Sequence, residues 1–255
     1  MVNAQSFASK CLKCRYRRES NAASCAQCLS EYLDPINSSS CPICLDPNYN
    51  PNYKQCYVCY KSANEGRLWI QGLSSIAYYY GIDGALGFIC GTYKGSKGLP
   101  QRPFMSFPLQ ALAKEYLSNH LNCIENKFRI KFDFITVIPG HAEQVFKESS
   151  YNNKPIIACL SDTRPPDQRF SNGTTRYFSY DRYRVNQKKV SGANILLLDD
   201  VYTSGSTLNS AAYSLLNHGN ANKIVGFTIA RHINNYSASK LPYTQFNINN
   251  CIICE

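Results

Sequence analysis

The segment that most limits how this chain can fold runs from Asn194 to Gly219. It opens with Ile195-Leu196-Leu197-Leu198, a continuous aliphatic run of the kind that forms a parallel strand buried on both faces. Two carboxylates, Asp199 and Asp200, follow where that strand is expected to end. Then comes Thr203-Ser204-Gly205-Ser206-Thr207, rich in hydroxyls, with one glycine to relax the backbone. Leu208, Ala211, Ala212, Leu215 and Leu216 recur at helical spacing, and Gly219 stands where a left-handed helix cap is expected. The unit is therefore strand, acidic pair, hydroxyl loop, helix.

This order carries a chemical meaning. Ligands of open α/β sheets bind beyond the carboxyl ends of the strands. A loop entering a helix offers free N–H groups and the positive end of the dipole, which suits a phosphate. The hydroxyls of Thr203, Ser204, Ser206 and Thr207 add donors, while Asp199 and Asp200 repel phosphate but accept hydrogen bonds from a diol. A phosphate beside a diol describes a ribose 5-phosphate. A nucleotide-binding Walker loop needs a lysine before its Ser/Thr, and none stands there.

The stretch Asp199-Asp200-Val201-Tyr202-Thr203-Ser204-Gly205-Ser206-Thr207 resembles the phosphoribosyl-pyrophosphate (PRPP) signature of type I phosphoribosyltransferases, and is most similar to its ComF (competence protein) form. The resemblance implies a Rossmann-like α/β core with a mainly parallel sheet. It implies that the acidic pair holds the ribose hydroxyls and that residues 203–207 hold the 5-phosphate. It also implies Mg²⁺ accompanying PRPP, pyrophosphate release, and a nitrogen acceptor that nothing in the sequence identifies. ComF-like proteins are further implied to serve DNA uptake and processing. A non-catalytic nucleic-acid-binding accessory that keeps the PRPP fold is therefore the alternative, with single-stranded DNA as its partner.

Upstream, four C-x-x-C knuckles recur at near-regular spacing: Cys11/Cys14, Cys25/Cys28, Cys41/Cys44 and Cys56/Cys59. Two knuckles complete one tetrahedral Cys₄ site, so eight ligands predict two structural Zn²⁺ ions. The even spacing permits pairing in sequence, as two zinc ribbons, or alternately, as a RING-like cross-brace. The ComF resemblance, in which one such finger precedes the transferase, favours the first. A RING-like ubiquitin ligase would rest on the cross-brace alone. Metal here substitutes for a core, because few apolar runs separate the knuckles. A fifth pair, Cys251/Cys254, is left unassigned.

These features divide the chain into a double zinc module, residues 1–65, and a phosphoribosyltransferase-like domain, residues 66–255. The formal charge is +10; eight thiolates and two Zn²⁺ together contribute −4, which leaves +6. A basic surface suits phosphorylated substrates or nucleic acid. Arg15, Arg17 and Arg18 around Tyr16 read foremost as a solvated loop, with a nucleic-acid contact as the alternative. No apolar run reaches the ~20 residues a membrane helix needs. Residues 1–10 lack a signal-peptide core, so a cytoplasmic location is expected.

Along the second domain, residues 60–70 read as a linker. Ser74–Tyr80 and Ala85–Tyr93 are rich in β-formers around Gly81-Ile82-Asp83-Gly84, which predicts a hairpin, followed by a loop with Lys94 and Lys97. Pro108 and the apolar spacing after it predict a helix. Phe132–Ile138, Pro155–Leu160 and Lys223–Arg231 read as strands, and residues 232–250 as a polar loop or frayed tail. After Ile138 the basic element of the ComF pattern is missing, so His141 is the one cationic candidate there. Residues 162–176 form a long polar loop. The resemblance places Arg164, Gln168 and Arg176 in it, with Arg164 and Arg176 clamping pyrophosphate.

Overall fold

The computed structural model describes residues 26–81, 84–95, 101–165, 177–239, 241 and 246–249. Cys11, Cys14, Cys25, the Arg15–Arg18 cluster, Lys97, Gln168, Arg176, Cys251 and Cys254 lie outside the described residues.

Five strands form the main sheet. They are β1 (Asp34–Pro35), β2 (Leu73–Tyr79), β3 (Phe134–Val137), β8 (Asn194–Tyr202) and β9 (Lys223–His232), in the order β1-β2-β9-β8-β3. The last four run parallel, and β1 joins the edge antiparallel to β2. The architecture is thus the mainly parallel, Rossmann-like α/β sheet expected. Short antiparallel pairs flank it: β4 (Ser150–Tyr151) with β5 (Lys154–Pro155), and β6 (Leu160–Asp162) with β7 (Tyr183–Val185).

Both faces are covered, which is why β8 reads as unbroken aliphatic. Leu196 and Leu198 pack with Leu112, Leu117 and Tyr93, from α4 (Ser106–Phe128) and α3 (Ala85–Lys94). Ile195 and Leu197 face the other way, against Leu208, Ala211 and Leu215 of the helix that begins at Ser206. Four cysteines, Cys41, Cys44, Cys56 and Cys59, belong to that second core. Residues 26–64 are therefore knit into the sheet, through β1 and through this shared core.

Several expectations change. Ala85–Tyr93 is helical, because Leu86, Ile89, Cys90 and Tyr93 repeat every three or four residues and are all buried; that period outweighs their β-propensity. The supposed linker begins inside α2 (Tyr57–Asn64). Of Pro155–Leu160, only Ile156 bridges β3, and Leu160 begins the antiparallel β6. The C-terminal region is not wholly frayed: Ile248 is fully buried, and its carbonyl meets His120 Nε2 at 2.9 Å.

Gly219 is not left-handed (φ −93°); Asn220 takes that role at φ +56°. Glycine is required at 219 by crowding. A Cβ there would lie 2.6 Å from the Leu215 carbonyl oxygen and 2.7 Å from Val190 Cγ1. Gly219→Ala is accordingly expected to destabilise the fold by about 1–3 kcal/mol through overpacking. A lowered denaturant midpoint at unchanged m-value would be the sign of it; a midpoint equal to wild type would show that the contact relaxes freely.

Candidate functional site

β8 outruns β3. Their pairing ends at Val137 opposite Leu198, with Ile138 N–H donating to the Leu198 carbonyl at 2.9 Å, whereas β9 stays paired with β8 as far as Tyr202 and Arg231. Asp199 and Asp200 therefore do not follow the strand, as the sequence suggests. They lie within it, on the stretch that has lost one neighbour. Strand alternation sends them to opposite faces.

Both carboxylates are buried, at 7% and 3% exposure. Asp199 accepts from the N–H of Asp200 at 2.9 Å, and Asp200 from that of Val201 at 2.7 Å. Lys94, the last residue of α3, places Nζ 2.6 Å from Asp200 Oδ2. Burial pushes both carboxyls up and the ammonium down; Lys94 and, more weakly, Arg182 pull Asp199 back toward its charged form. At an effective dielectric near 20, attraction over this distance is on the order of 6 kcal/mol. The penalty for burying each ion is several kcal/mol, so the pair is close to neutral for stability. Nothing local in the sequence signals Lys94; only the misread helix brings it to Asp200.

The loop after β8 is short and sharply shaped. Gly205 is left-handed (φ +81°) and buried, and the helix Ser206–Tyr213 starts immediately after it. Thr203 and Ser204 are exposed; Ser204 Oγ lies 2.9 Å from Ser206 Oγ. Asn209 anchors the loop from below. Its amide nitrogen donates to the Gly205 carbonyl at 3.0 Å, while its oxygen accepts from the N–H groups of Trp69 and Ile70. Thr207 Oγ1 accepts from Arg182 Nη1 at 3.3 Å. Neither Asn209 nor Arg182 was among the expected site residues; both lie outside residues 199–207.

Arg164 sits at the base of the long polar loop with its fork on Asp162: Nη2 donates to Oδ2 at 2.6 Å and Nε to Oδ1 at 3.0 Å. Arg182 Nε approaches the same carboxylate at 3.8 Å. Burial works against the Asp162 charge, but the Arg164 fork prevails and holds its carboxyl below the usual range.

His141 differs from expectation. Burial, helped by the charge of Lys94, lowers it to about 4, so it is neutral near pH 7 and not a cation. Its ring packs edge-on against Tyr93, with centroids 5.9 Å apart. Among the described residues, the cations near the acidic pair are Lys94 and Arg182.

Behind the loop, Cys41, Cys44, Cys56 and Cys59 hold their sulfurs within 4.8 Å of one another. The third knuckle thus meets the fourth, the sequential arrangement. The fit to a metal is good. Cys44 Sγ and Cys56 Sγ are 3.6 Å apart, near the ~3.8 Å edge of a tetrahedron with ~2.3 Å Zn–S bonds. The Cys56 N–H also donates to Cys41 Sγ at 3.4 Å, as to a thiolate. Cys28 is buried, and its three expected co-ligands lie outside the described residues.

No family model matches the chain. Over 58 residues it is 40% identical to Competence protein ComFC of Bacillus subtilis (strain 168); the match spans 23% of this chain and 24% of that protein. The chain therefore spans about a quarter of the length of the curated relative it matches. Among solved structures it is similar to an adenine phosphoribosyltransferase, at 14% identity over 58% of this chain and 81% of the other, with a TM-score of 0.33. A second, from Saccharomyces cerevisiae, shares 15% identity over 58% and 80%, with a TM-score of 0.31. A hypoxanthine phosphoribosyltransferase from Staphylococcus aureus shares 14% over 53% and 79%, with a TM-score of 0.29. No helix among the described residues is long and apolar enough to cross a membrane.

Two outcomes are expected. A Cys56→Ser/Cys59→Ser variant loses one equivalent of bound zinc relative to wild type; unchanged metal content would remove these residues from the ligand set. His141, depressed from 6.5 to about 4, takes up its proton later than the unfolded chain does. Its stabilising contribution is thus complete above ~6.5 and is lost as pH falls toward 4, by at most about 3 kcal/mol. Titration of the imidazole by NMR, assigned with His141→Gln, should show a midpoint below 5, and a midpoint near 6.5 would contradict the burial argument.

Proposed function

We propose that this chain is a PRPP-binding, phosphoribosyltransferase-like protein. The observation that carries the reading is the junction at the end of β8. Two buried carboxylates run directly into a left-handed glycine, a hydroxyl loop and a helix start, all beyond the end of β3. The resemblance to ComFC over 58 residues supports it.

In this reading Asp199 and Asp200 accept from the ribose hydroxyls and fix the ring. Thr203, Ser204, Gly205, Ser206 and Thr207 surround the 5-phosphate, with backbone N–H groups and hydroxyls as donors. Mg²⁺ belongs to the substrate: it arrives on the pyrophosphate and disperses its charge as it leaves. The chain's contribution is position and electrostatics; no covalent nucleophile is required. As the bond from C1 to pyrophosphate breaks, ribose gains oxocarbenium character and a nitrogen acceptor attacks. The buried acids favour that positive charge.

The pyrophosphate end is served by Lys94, by Arg164 and by Arg176. Lys94 is free to turn from Asp200 toward the anion once ribose hydroxyls take its place. Arg164 must release Asp162 to do the same. His141, neutral, offers only a hydrogen bond. A zinc held by Cys41, Cys44, Cys56 and Cys59 would be structural, since four sulfurs leave no open position.

A second reading, a non-catalytic nucleic-acid accessory, is favoured by one observation. Tyr53, Tyr57 and Tyr60 are 67%, 75% and 56% exposed around the fourth knuckle, and Lys54 and Lys61 lie among them in sequence. Such rings offer stacking surfaces for single-stranded bases. The relative matched over 58 residues is a competence protein.

Calorimetric titration of the zinc-loaded protein with Mg²⁺ and PRPP separates the two. Binding is expected in wild type and its loss in Asp199→Asn/Asp200→Asn, with Lys94→Met weakening it by roughly tenfold, the scale of a charge-assisted contact. No heat from a folded wild type would sink the transferase reading. Salt-dependent single-strand binding that Tyr57→Ala/Tyr60→Ala weakens would then support the other.

A further inference from the structure

We infer that Arg231 is the positioning residue that links the Cys₄ site to the hydroxyl loop, so that metal held by Cys41, Cys44, Cys56 and Cys59 fixes the backbone on which a ribose 5-phosphate rests. The inference builds on the phosphate-loop reading above and adds a part that the signature does not contain.

Arg231 lies near the end of β9, only 8% exposed. Among the described residues, its hydrogen-bond partners are all main-chain carbonyls. Nε donates to Cys44 at 2.7 Å; Nη1 donates to Thr203 at 3.0 Å, more weakly to Tyr202 at 3.4 Å, and also to His232. One planar guanidinium thus joins a carbonyl inside a zinc knuckle to the first carbonyl of the hydroxyl loop. A rigid fork suits this; a flexible ammonium cannot hold both ends at fixed separation.

A second contact runs in parallel. The guanidinium carbon stands 4.9 Å from the centroid of the Tyr202 ring, and Tyr202 packs in the same core as the four cysteines. The tyrosine in turn shapes the loop. A Cβ on Gly205 would fall 2.2 Å from the Tyr202 hydroxyl, so the chain at 205 wraps directly over the phenol. The path is continuous: knuckle, Arg231 and Tyr202, then Thr203 and Gly205.

The physical consequence follows from burial. Cys44 is both a sulfur ligand and, through its carbonyl, an Arg231 acceptor. Residues 41–44 form only a turn, held by the Leu45 N–H donating to the Cys41 carbonyl and by Tyr78 OH donating to the Leu45 carbonyl. Without metal, four thiols crowd the knuckle and the turn relaxes. Arg231 would then bury an unmet donor unless it moves, and the loop carbonyls move with it. Its positive charge, opposed by no carboxylate in this contact set, also lies directly behind the loop.

The test uses the full chain in four forms: zinc-loaded wild type, chelator-stripped wild type, zinc-loaded Arg231→Met and zinc-loaded Arg231→Lys. Metal content is measured, then amide hydrogen exchange over residues 202–207, then Mg²⁺–PRPP binding. Arg231→Met is expected to keep its zinc, to exchange faster at 202–207, and to bind PRPP about 5- to 150-fold more weakly. Arg231→Lys should recover part of both losses, which a general packing defect would not. Zinc-loaded Arg231→Met with wild-type exchange and wild-type affinity would overturn the inference. Should that variant fail to fold, Arg231→Lys decides by the same two readouts: a looser loop and weaker binding support the link, and wild-type values refute it. If stripping the metal unfolds the chain, the zinc-loaded variants alone decide. A wild type that binds no PRPP would defeat the ribose-phosphate reading, while hydrogen exchange, which needs no ligand, still judges the link.

Discussion

The unequal length of two neighbouring strands governs this structure. β8 keeps β9 through Tyr202 but loses β3 after Leu198. A strand with one bare edge at its carboxyl end can present side chains to a crevice while its backbone stays held. Two aspartates thereby sit almost wholly buried at that bare edge. The arrangement has a price in stability, because burial disfavours both charges. Lys94 offsets part of it from the far face, and ligand hydroxyls would offset more.

The rest of the molecule holds that edge in place. Asn209 fastens the loop to the backbone of Trp69 and Ile70. Arg182 reaches Thr207 from just ahead of β7, and shares Asp162 with Arg164. Arg231 and Tyr202 back the loop with the Cys₄ knuckles. The cysteine-rich segment therefore does more than precede the sheet. It supplies an edge strand, part of a core, and the floor beneath the hydroxyl loop. The four cysteines and one face of the sheet share a single packed core.

How much of this could be read from residues alone depends on range. The strand–loop–helix unit was legible because its signals are local: four aliphatics, two acids, a glycine among hydroxyls, and a clean helical period. The third and fourth knuckles were legible because C-x-x-C spacing matches two corners of a tetrahedron. Ala85–Tyr93 misled because its side chains favour strands while its spacing favours a helix, and burial on one face settled the conflict. Gly219 misled for a different reason: a glycine can answer crowding as well as a left-handed turn, and the sequence is silent on which. Lys94 and Arg231 could not be found by pattern at all. Asp200 lies more than a hundred residues from Lys94, as Cys44 does from Arg231, and only the sheet order brings each pair together.

The central claim is that the loop at residues 203–207 receives the phosphate of a ribose 5-phosphate whose hydroxyls meet Asp199 and Asp200. The most direct measurement is a backbone-amide NMR titration of the zinc-loaded protein with ribose 5-phosphate, repeated with inorganic phosphate. The claim predicts saturable shifts centred on the amides of residues 203–207 with both ligands, and shifts at Asp199 and Asp200 with the sugar phosphate alone. Shifts scattered over surface lysines, or none at 203–207 at saturating ligand, would contradict it.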